Sequence, residues 1–245
     1  MASTGNSHPI YTDTPLAVMH TPRFETGKMD PFTLEASKMA LSHNSFIRGF
    51  NSIYQQALRV PAEDKTDFVK YCIAWHDCVD AHHRYEETEF FPNVNKAAGR
   101  TDLMDTAVHE HAAFHDGMER FKDYLLKKGA GFSASELLAL MDSFKDPLYS
   151  HLKAEPPSIV ALAQYSTPEN PIDILAIADA AARNSITLSM VFNVLPIFYL
   201  NMDFNFEGGM WEGVFPSFGS TGRWLLTKAI PMWHSRRWRF ASYSP

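Results

Sequence analysis

Apolar positions recur in threes and fours over four stretches of this chain, the spacing that lines one face of an α-helix. The first runs from Pro31 to about Arg59, where Met39, Phe46, Phe50, Ile53 and Leu58 supply a broken apolar face that includes His43. Asp30 as N-cap and Pro31 at the first helical position mark its start. Pro61 ends it and opens the next helix, with Glu63 and Asp64 placed to favour the new N-terminus. The second stripe is Phe68, Tyr71, Cys72, Trp75, Val79, His82, Glu86, Phe90, which leaves His83 and Glu87 one residue off the face. The stretch from Pro92 to Arg100 reads as a connection. A third helix spans about Thr101 to Lys127, with Met104, Val108, His111, His115, Met118 and Leu125 near one face and Gly129 as its stop. The fourth starts at Ser133 or Ser135 and carries Leu137, Met141, Phe144, Leu148, His151 and Glu155; Pro156-Pro157 then predicts that Glu155 sits in its last turn.

Four long amphipathic helices joined by short turns predict an all-α fold, an antiparallel four-helix bundle over residues 31–165. Residues 1–30, rich in Pro, Thr, Ser and Gly, read as an irregular arm. Residues 166–245 read as an extension packed on the bundle: a fifth helix from Asp173 to Leu195, an aromatic and glycine-rich stretch after Asn201, helix again from Thr221 to Met232, and a terminal WHSRRWRFASYSP clasp. The apolar run Ile186–Leu200 is shorter than the roughly 20 residues of a membrane span and holds Asn193 and Pro196, so it is expected to be a buried helix.

Composition narrows the class. With 45% hydrophobic and 13% aromatic residues, the 245-residue chain has material for a real core. A formal charge of −6 without a basic run argues against nucleic acid as a partner. The two cysteines, Cys72 and Cys78, lie six apart on one helix and point in different directions, which predicts buried thiols and no disulfide. No basic stretch followed by an apolar core opens the chain, so no signal peptide is expected, and the setting is expected to be cytoplasmic.

The chemistry lies in where the histidines fall. Residues at i and i+4 share a helix face, and His82/Glu86, His111/His115 and His151/Glu155 all have that spacing. A lone helical His is more often a surface or satisfied core residue, and His8, His20, His76, His109 and His234 are left in that class. His43, His82, Glu86, His111, His115, His151 and Glu155 instead all lie on the predicted inner faces of four consecutive helices. Burying such groups without a cation costs several kcal/mol per charge. Seven ligands exceed one tetrahedral zinc and suit two octahedral ions, with mixed imidazole and carboxylate donors favouring iron. There is no Glu-x-x-His pair of the ferritin-like kind, no phosphate loop and no nucleophile elbow.

These segments (SHNSFIRG around His43, HHRYEETEFFP, HEHAAFHDG and HLKAE) resemble the hemerythrin family, in its HHE cation-binding branch. The resemblance covers roughly residues 30–165, and NFEGGMW with the terminal WRF is similar to an extension of fungal members. It implies a diiron centre in which His43, His82, His111, His115 and His151 each give an imidazole nitrogen and Glu86 and Glu155 bridge two iron ions, with a position open to dioxygen or another small diatomic ligand. The oxygen carriers of the family place Asp five residues after the last His, where this chain has Pro156; Glu155 follows the HHE arrangement. Three functions remain open: reversible binding or sensing of dioxygen, nitric oxide or iron; activation of dioxygen against a small organic substrate; or a module whose metal is structural. A bare carrier needs only the bundle, whereas the extension has the length to shape a pocket or lid.

Overall fold

A computed structural model describes residues 11–185, 187–216 and 220–243. The described residues form helices and turns without a strand. Helix α1 (Pro31–Gln56) starts as its sequence dictates: the Asp30 carboxylate accepts from the backbone amides of Phe32 and Thr33, and Pro31 occupies the first turn. It ends at Gln56 and not Arg59, and Leu58 is exposed. Helix α2 (Lys65–Tyr85) passes through a wide π-type turn at Glu86–Phe90 into a further helical segment, Phe91–Ala97. The Pro92 region is therefore helix and not connection. Proline is tolerated there because it falls in the first turn, where a missing N–H is no loss.

Helix α3 (Asp105–Lys128) and helix α4 (Ala134–Ala161) complete the bundle. The short links between successive helices, such as the single turn Gly129–Gly131, force neighbours to run antiparallel. Two glycines set how closely the helices approach. A Cβ on Gly49 would lie 2.5 Å from Cδ1 of Trp75, and one on Gly117 would lie 2.6 Å from Cβ of Phe144. The indole of Trp75 uses that space to donate to the Phe46 carbonyl at 3.0 Å.

Helix α4 does not stop at Glu155. It runs through Pro156 and Pro157 to Ala161, with Pro147 also inside. Each proline removes one ladder bond, so the carbonyl four residues earlier is free for another donor, a point that matters for the metal centre.

Helix α1 is buried almost all round, because the bundle covers one side and the flanking segments cover the other. The polar residues on its outer side are satisfied by those segments. Asn51 brackets the backbone of Leu16 (3.0 and 2.7 Å) and Asn44 that of Met19 (2.9 and 2.8 Å), fastening the N-terminal arm. The arm includes a helical turn at Pro22–Thr26, and the part preceding residue 11 lies outside the described residues. Where one fifth helix was expected, α5 (Ile174–Ser185) is followed by α6 (Leu188–Asn193) and α7 (Leu195–Leu200), bent by 88° from α5. Thr187 caps the new start by accepting from Met190, and Pro196 sits at the start of α7. Among the described residues no single helix is long and apolar enough to cross a membrane.

The C-terminal segment does more than clasp the surface. Trp238 is fully buried and Phe240 packs edge-on to Phe68 at 5.2 Å. Arg236 and Arg239 pair with Asp67 and Asp64 at the start of α2, where acidic groups also favour the helix N-terminus. Both cysteines are free and buried.

Candidate metal centre

Seven side chains from four helices converge within the bundle core, with apolar core residues on either side of them along each helix. In one group, a nitrogen or oxygen from each of His83, Glu86, His111 and His151 falls within 4.8 Å of the others; in the second the same holds for His43, His82, Glu86 and Glu155. Six of the seven residues expected from the sequence are thus brought together: His43, His82, Glu86, His111, His151 and Glu155.

His115 is not among them. Its side chain is 61% exposed and faces its neighbour Asp116. The buried face of α3 is Ala107, His111, Phe114, Met118, Phe121, Leu125. Phe114 and His115 compete for the same turn, and the phenyl ring, with no polar atoms to desolvate, takes the inner position. Val108, on the mistaken stripe, is exposed for the same reason.

His83 takes the place assigned to His115. It is buried, with its ring 4.4 Å from that of His111 and 5.2 Å from that of His151. The expectation that His83 is a flank residue is therefore corrected, whereas Glu87 does lie on the exposed flank. Consecutive helix positions diverge by about 100°, so His82 and His83 straddle the inward direction and each imidazole serves a different group. Glu87 is half-exposed, but its Oε1 accepts from Nδ1 of His111 at 2.7 Å.

The imidazoles are fixed through their second nitrogens. Nδ1 of His151 donates to Oε2 of Glu110 at 3.0 Å, and Nδ1 of His43 donates to the carbonyl of Leu152 at 2.7 Å. The latter carbonyl is the one that Pro156 leaves without a ladder donor. With Nδ1 protonated, each ring turns an Nε2 lone pair inward. Nε2 of His111 and Nε2 of His151 then lie 3.1 Å apart, and Nε2 of His43 and Nε2 of His82 lie 3.2 Å apart.

Glu86 lies between the groups, with Oε1 2.8 Å from His82 and Oε2 3.5 Å from His111. Oε2 of Glu155 lies 3.2 Å from Nε2 of His43 and 3.7 Å from Nε2 of His151. Both carboxylate oxygens of Glu86 and both of Glu155, with Nε2 of His83, are buried without a hydrogen bond of good geometry. Burial drives the pKa values of His82 and His83 well below the ordinary imidazole value and that of His151 to about 3. Burial, then the facing Glu155 charge, pushes Glu86 well above the carboxylate range. The site presents neutral nitrogen donors, the form that binds metal.

The family profile described as the hemerythrin HHE cation binding domain matches residues 36–157. A curated relative, the dimeric xanthone biosynthesis cluster protein R11 of Cryptosporiopsis sp. (strain 8999), is 30% identical over 207 residues, which cover 84% of this chain and 77% of the relative. The chain belongs to the hemerythrin HHE family. No solved structure matches it.

The donor set of this hemerythrin-family chain fits a cation on direct physical grounds. Two carboxylates without hydrogen-bond partners and the opposed lone pairs of His111 and His151 repel one another in a buried space. A positive ion within each group converts every one of these repulsions into an attraction. Two openings reach the centre. A polar cavity of about 140 Å³ touches His83 and His111 and is bordered by Glu87 and His115. A larger one, about 340 Å³, touches His82 from the side of the extension.

Proposed function

We propose that this chain is a non-haem diiron protein that holds two iron ions in its paired groups and exposes one of them to dioxygen or a comparably small ligand. The observation that carries the reading is the 3.1 Å approach of two unprotonated nitrogens, Nε2 of His111 and Nε2 of His151, beside a second imidazole pair, His43 and His82, at 3.2 Å, with Glu86 between the pairs. Sharing Glu86 and Glu155, the first group offers three imidazoles and two carboxylate oxygens, five donors, and the second two imidazoles and two oxygens, four donors. Octahedral ions take about six, so positions remain for a small ligand.

The side chains around the centre control what reaches it. Phe114, 5.0 Å from His83 and 5.6 Å from His151 by ring centroids, walls off the interior below the ligands. Phe46, 4.9 Å from His82, does the same on the other side. Such a dry wall disfavours separation of charge and slows loss of a reduced oxygen species. Glu87, Glu110 and the Leu152 carbonyl hold three imidazoles in the tautomer that presents Nε2, and partners of this kind tune affinity. When bound, paired iron ions supply the electrons for exchange with dioxygen.

A second reading, oxidation of a small organic substrate with dioxygen, is favoured by the larger cavity at His82. The Cryptosporiopsis relative is named for a biosynthesis cluster, which supports the same reading. Anaerobic purification, an iron count per chain, and the visible spectrum on admission of oxygen test both. Fewer than two irons per chain sinks the diiron reading. A stable, reversible oxygen-dependent band supports binding, and bleaching only on addition of a substrate supports oxidation.

A further inference from the structure

The larger cavity is formed where the extension meets α1 and α2, and its composition is specific. Three aromatic rings wall its inner end. Phe46 and Phe198 lie 5.8 Å apart, and Tyr85 stacks on His82 at 6.2 Å. The polar end is set by Glu35, 6% exposed, whose Oε2 takes the Lys38 ammonium at 3.2 Å. At about 340 Å³ the space reaches the lower end of the range of about 300–1,000 Å³ typical of small-molecule sites.

Each feature restricts the occupant. Ring walls favour a flat aromatic body, which stacks at offset or edge-on geometry. Glu35 and Lys38 neutralise each other and Asp179 adds a negative charge at the exposed rim, so an anionic ligand would bury an unbalanced charge. A neutral hydroxyl, by contrast, can donate to the Glu35 carboxylate, an acceptor that uses only part of its capacity on Lys38. We propose that this cavity binds a planar hydroxylated aromatic molecule, with a phenolic hydroxyl hydrogen-bonded to Glu35 and its ring edge beside His82. The binding claim stands on the cavity; its use in chemistry rests on the diiron reading above.

Titration of 2-naphthol into the purified full-length chain, followed by the fluorescence of the naphthol, tests the proposal. One saturable site per chain is expected, in both metal-free and iron-loaded protein. 2-Methoxynaphthalene, which lacks the donor, is expected to bind at least tenfold more weakly, and decanoate not to compete. Ala182→Trp, on the exposed lip of the cavity, is expected to abolish naphthol binding while the iron count is unchanged, and Glu35→Gln to weaken it several-fold with the same thermal midpoint.

No saturable naphthol binding, equal binding by Ala182→Trp, equal affinity of the methoxy analogue, or displacement by decanoate would each overturn it. The iron count is read separately. Two irons without naphthol binding removes the pocket and leaves the centre standing. Naphthol binding with fewer than two irons removes the diiron centre and leaves the pocket.

Discussion

The Nδ1–H of His43 is held by the carbonyl oxygen of Leu152 at 2.7 Å, a bond that joins the first helix of the bundle to the fourth across the metal centre. Leu152 is four residues before Pro156, so its carbonyl has no ladder N–H to accept. A proline that sequence logic treats as a helix stop serves here to release an acceptor for a metal-binding imidazole. Replacing it restores the competing donor. Pro156→Ala is expected to weaken metal affinity, towards the roughly 10- to 100-fold seen when such orienting partners are lost, while the metal-free chain melts at the same temperature or higher. Metal titration with a competing chelator and thermal melting together check this. Unchanged affinity would show that Leu152 bonds both donors at no cost to His43.

Which histidines bind is open to a direct comparison. His82 and His83 belong to different groups, and His115 belongs to neither. His82→Ala and His83→Ala should each reduce iron binding to about one ion per chain or weaken one ion selectively. His115→Ala should retain the full complement. Loss of iron in His115→Ala with retention in His83→Ala would reverse the assignment.

The fold was open to reading from the chain because it depends on features that repeat. Phe68, Trp75 and Val79, or Leu137, Met141 and Phe144, recur often enough to fix which face is buried. The metal centre was legible only to within one helical position. At Phe114/His115 the ring without polar atoms takes the inner position, and at His82/His83 both neighbours point inward. Apolar periodicity cannot choose between adjacent residues where the core itself is polar. The partners Glu110 and Leu152 carried no local signal, because each acts on a residue about forty or more positions away. The bend between α5 and α6 falls where Thr187 offers a cap, a weak signal inside an apolar run.

Close approach of α3 and α4 below the centre depends on Gly117. An added methyl would meet Cβ of Phe144 at 2.6 Å, a contact with no flexible end to move aside. Gly117→Ala is expected to destabilise the chain by about 1–3 kcal/mol, the cost of overpacking, despite the better helix propensity of alanine. Urea unfolding measures it. Stability equal to or above the parent would mean that the helices separate freely at this level.

Acid sensitivity of the metal-free chain follows from the buried imidazoles. His151 titrates at about 3 in the fold because of burial, against about 6.5 when unfolded. The unfolded state therefore takes up protons first. The stability due to a neutral His151 is fully present above pH 6.5 and is lost as pH falls from there towards 3, by about 2 kcal/mol at pH 5. His82 and His83 shift in the same direction. Glu86, raised by burial, acts oppositely, since its contribution is present at low pH and lost as pH rises; three imidazoles outweigh one carboxylate. Urea midpoints of the metal-free chain should fall between pH 7 and pH 5, and His151→Leu should flatten part of that slope. A midpoint that holds or rises over this interval would place the imidazoles in contact with water.

Metal removal should expose the strain the ions relieve. Without a cation, the buried oxygens of Glu86 and Glu155 face each other, and they and Nε2 of His83 have no hydrogen-bond partner. A ligand that binds only the folded state stabilises it by about 2.7 kcal/mol at a free concentration of 100 Kd. The metal-loaded chain should therefore unfold at higher urea than the chelated chain, and the gap should widen with added metal. Glu86→Gln, which replaces a side chain already neutral in the metal-free fold but removes a charged metal ligand, should leave the stability of the chelated chain at pH 7 close to that of the parent while reducing the gain from metal. If chelation leaves the urea midpoint unchanged in the parent, the seven side chains are satisfied without an ion and the centre is structural in origin.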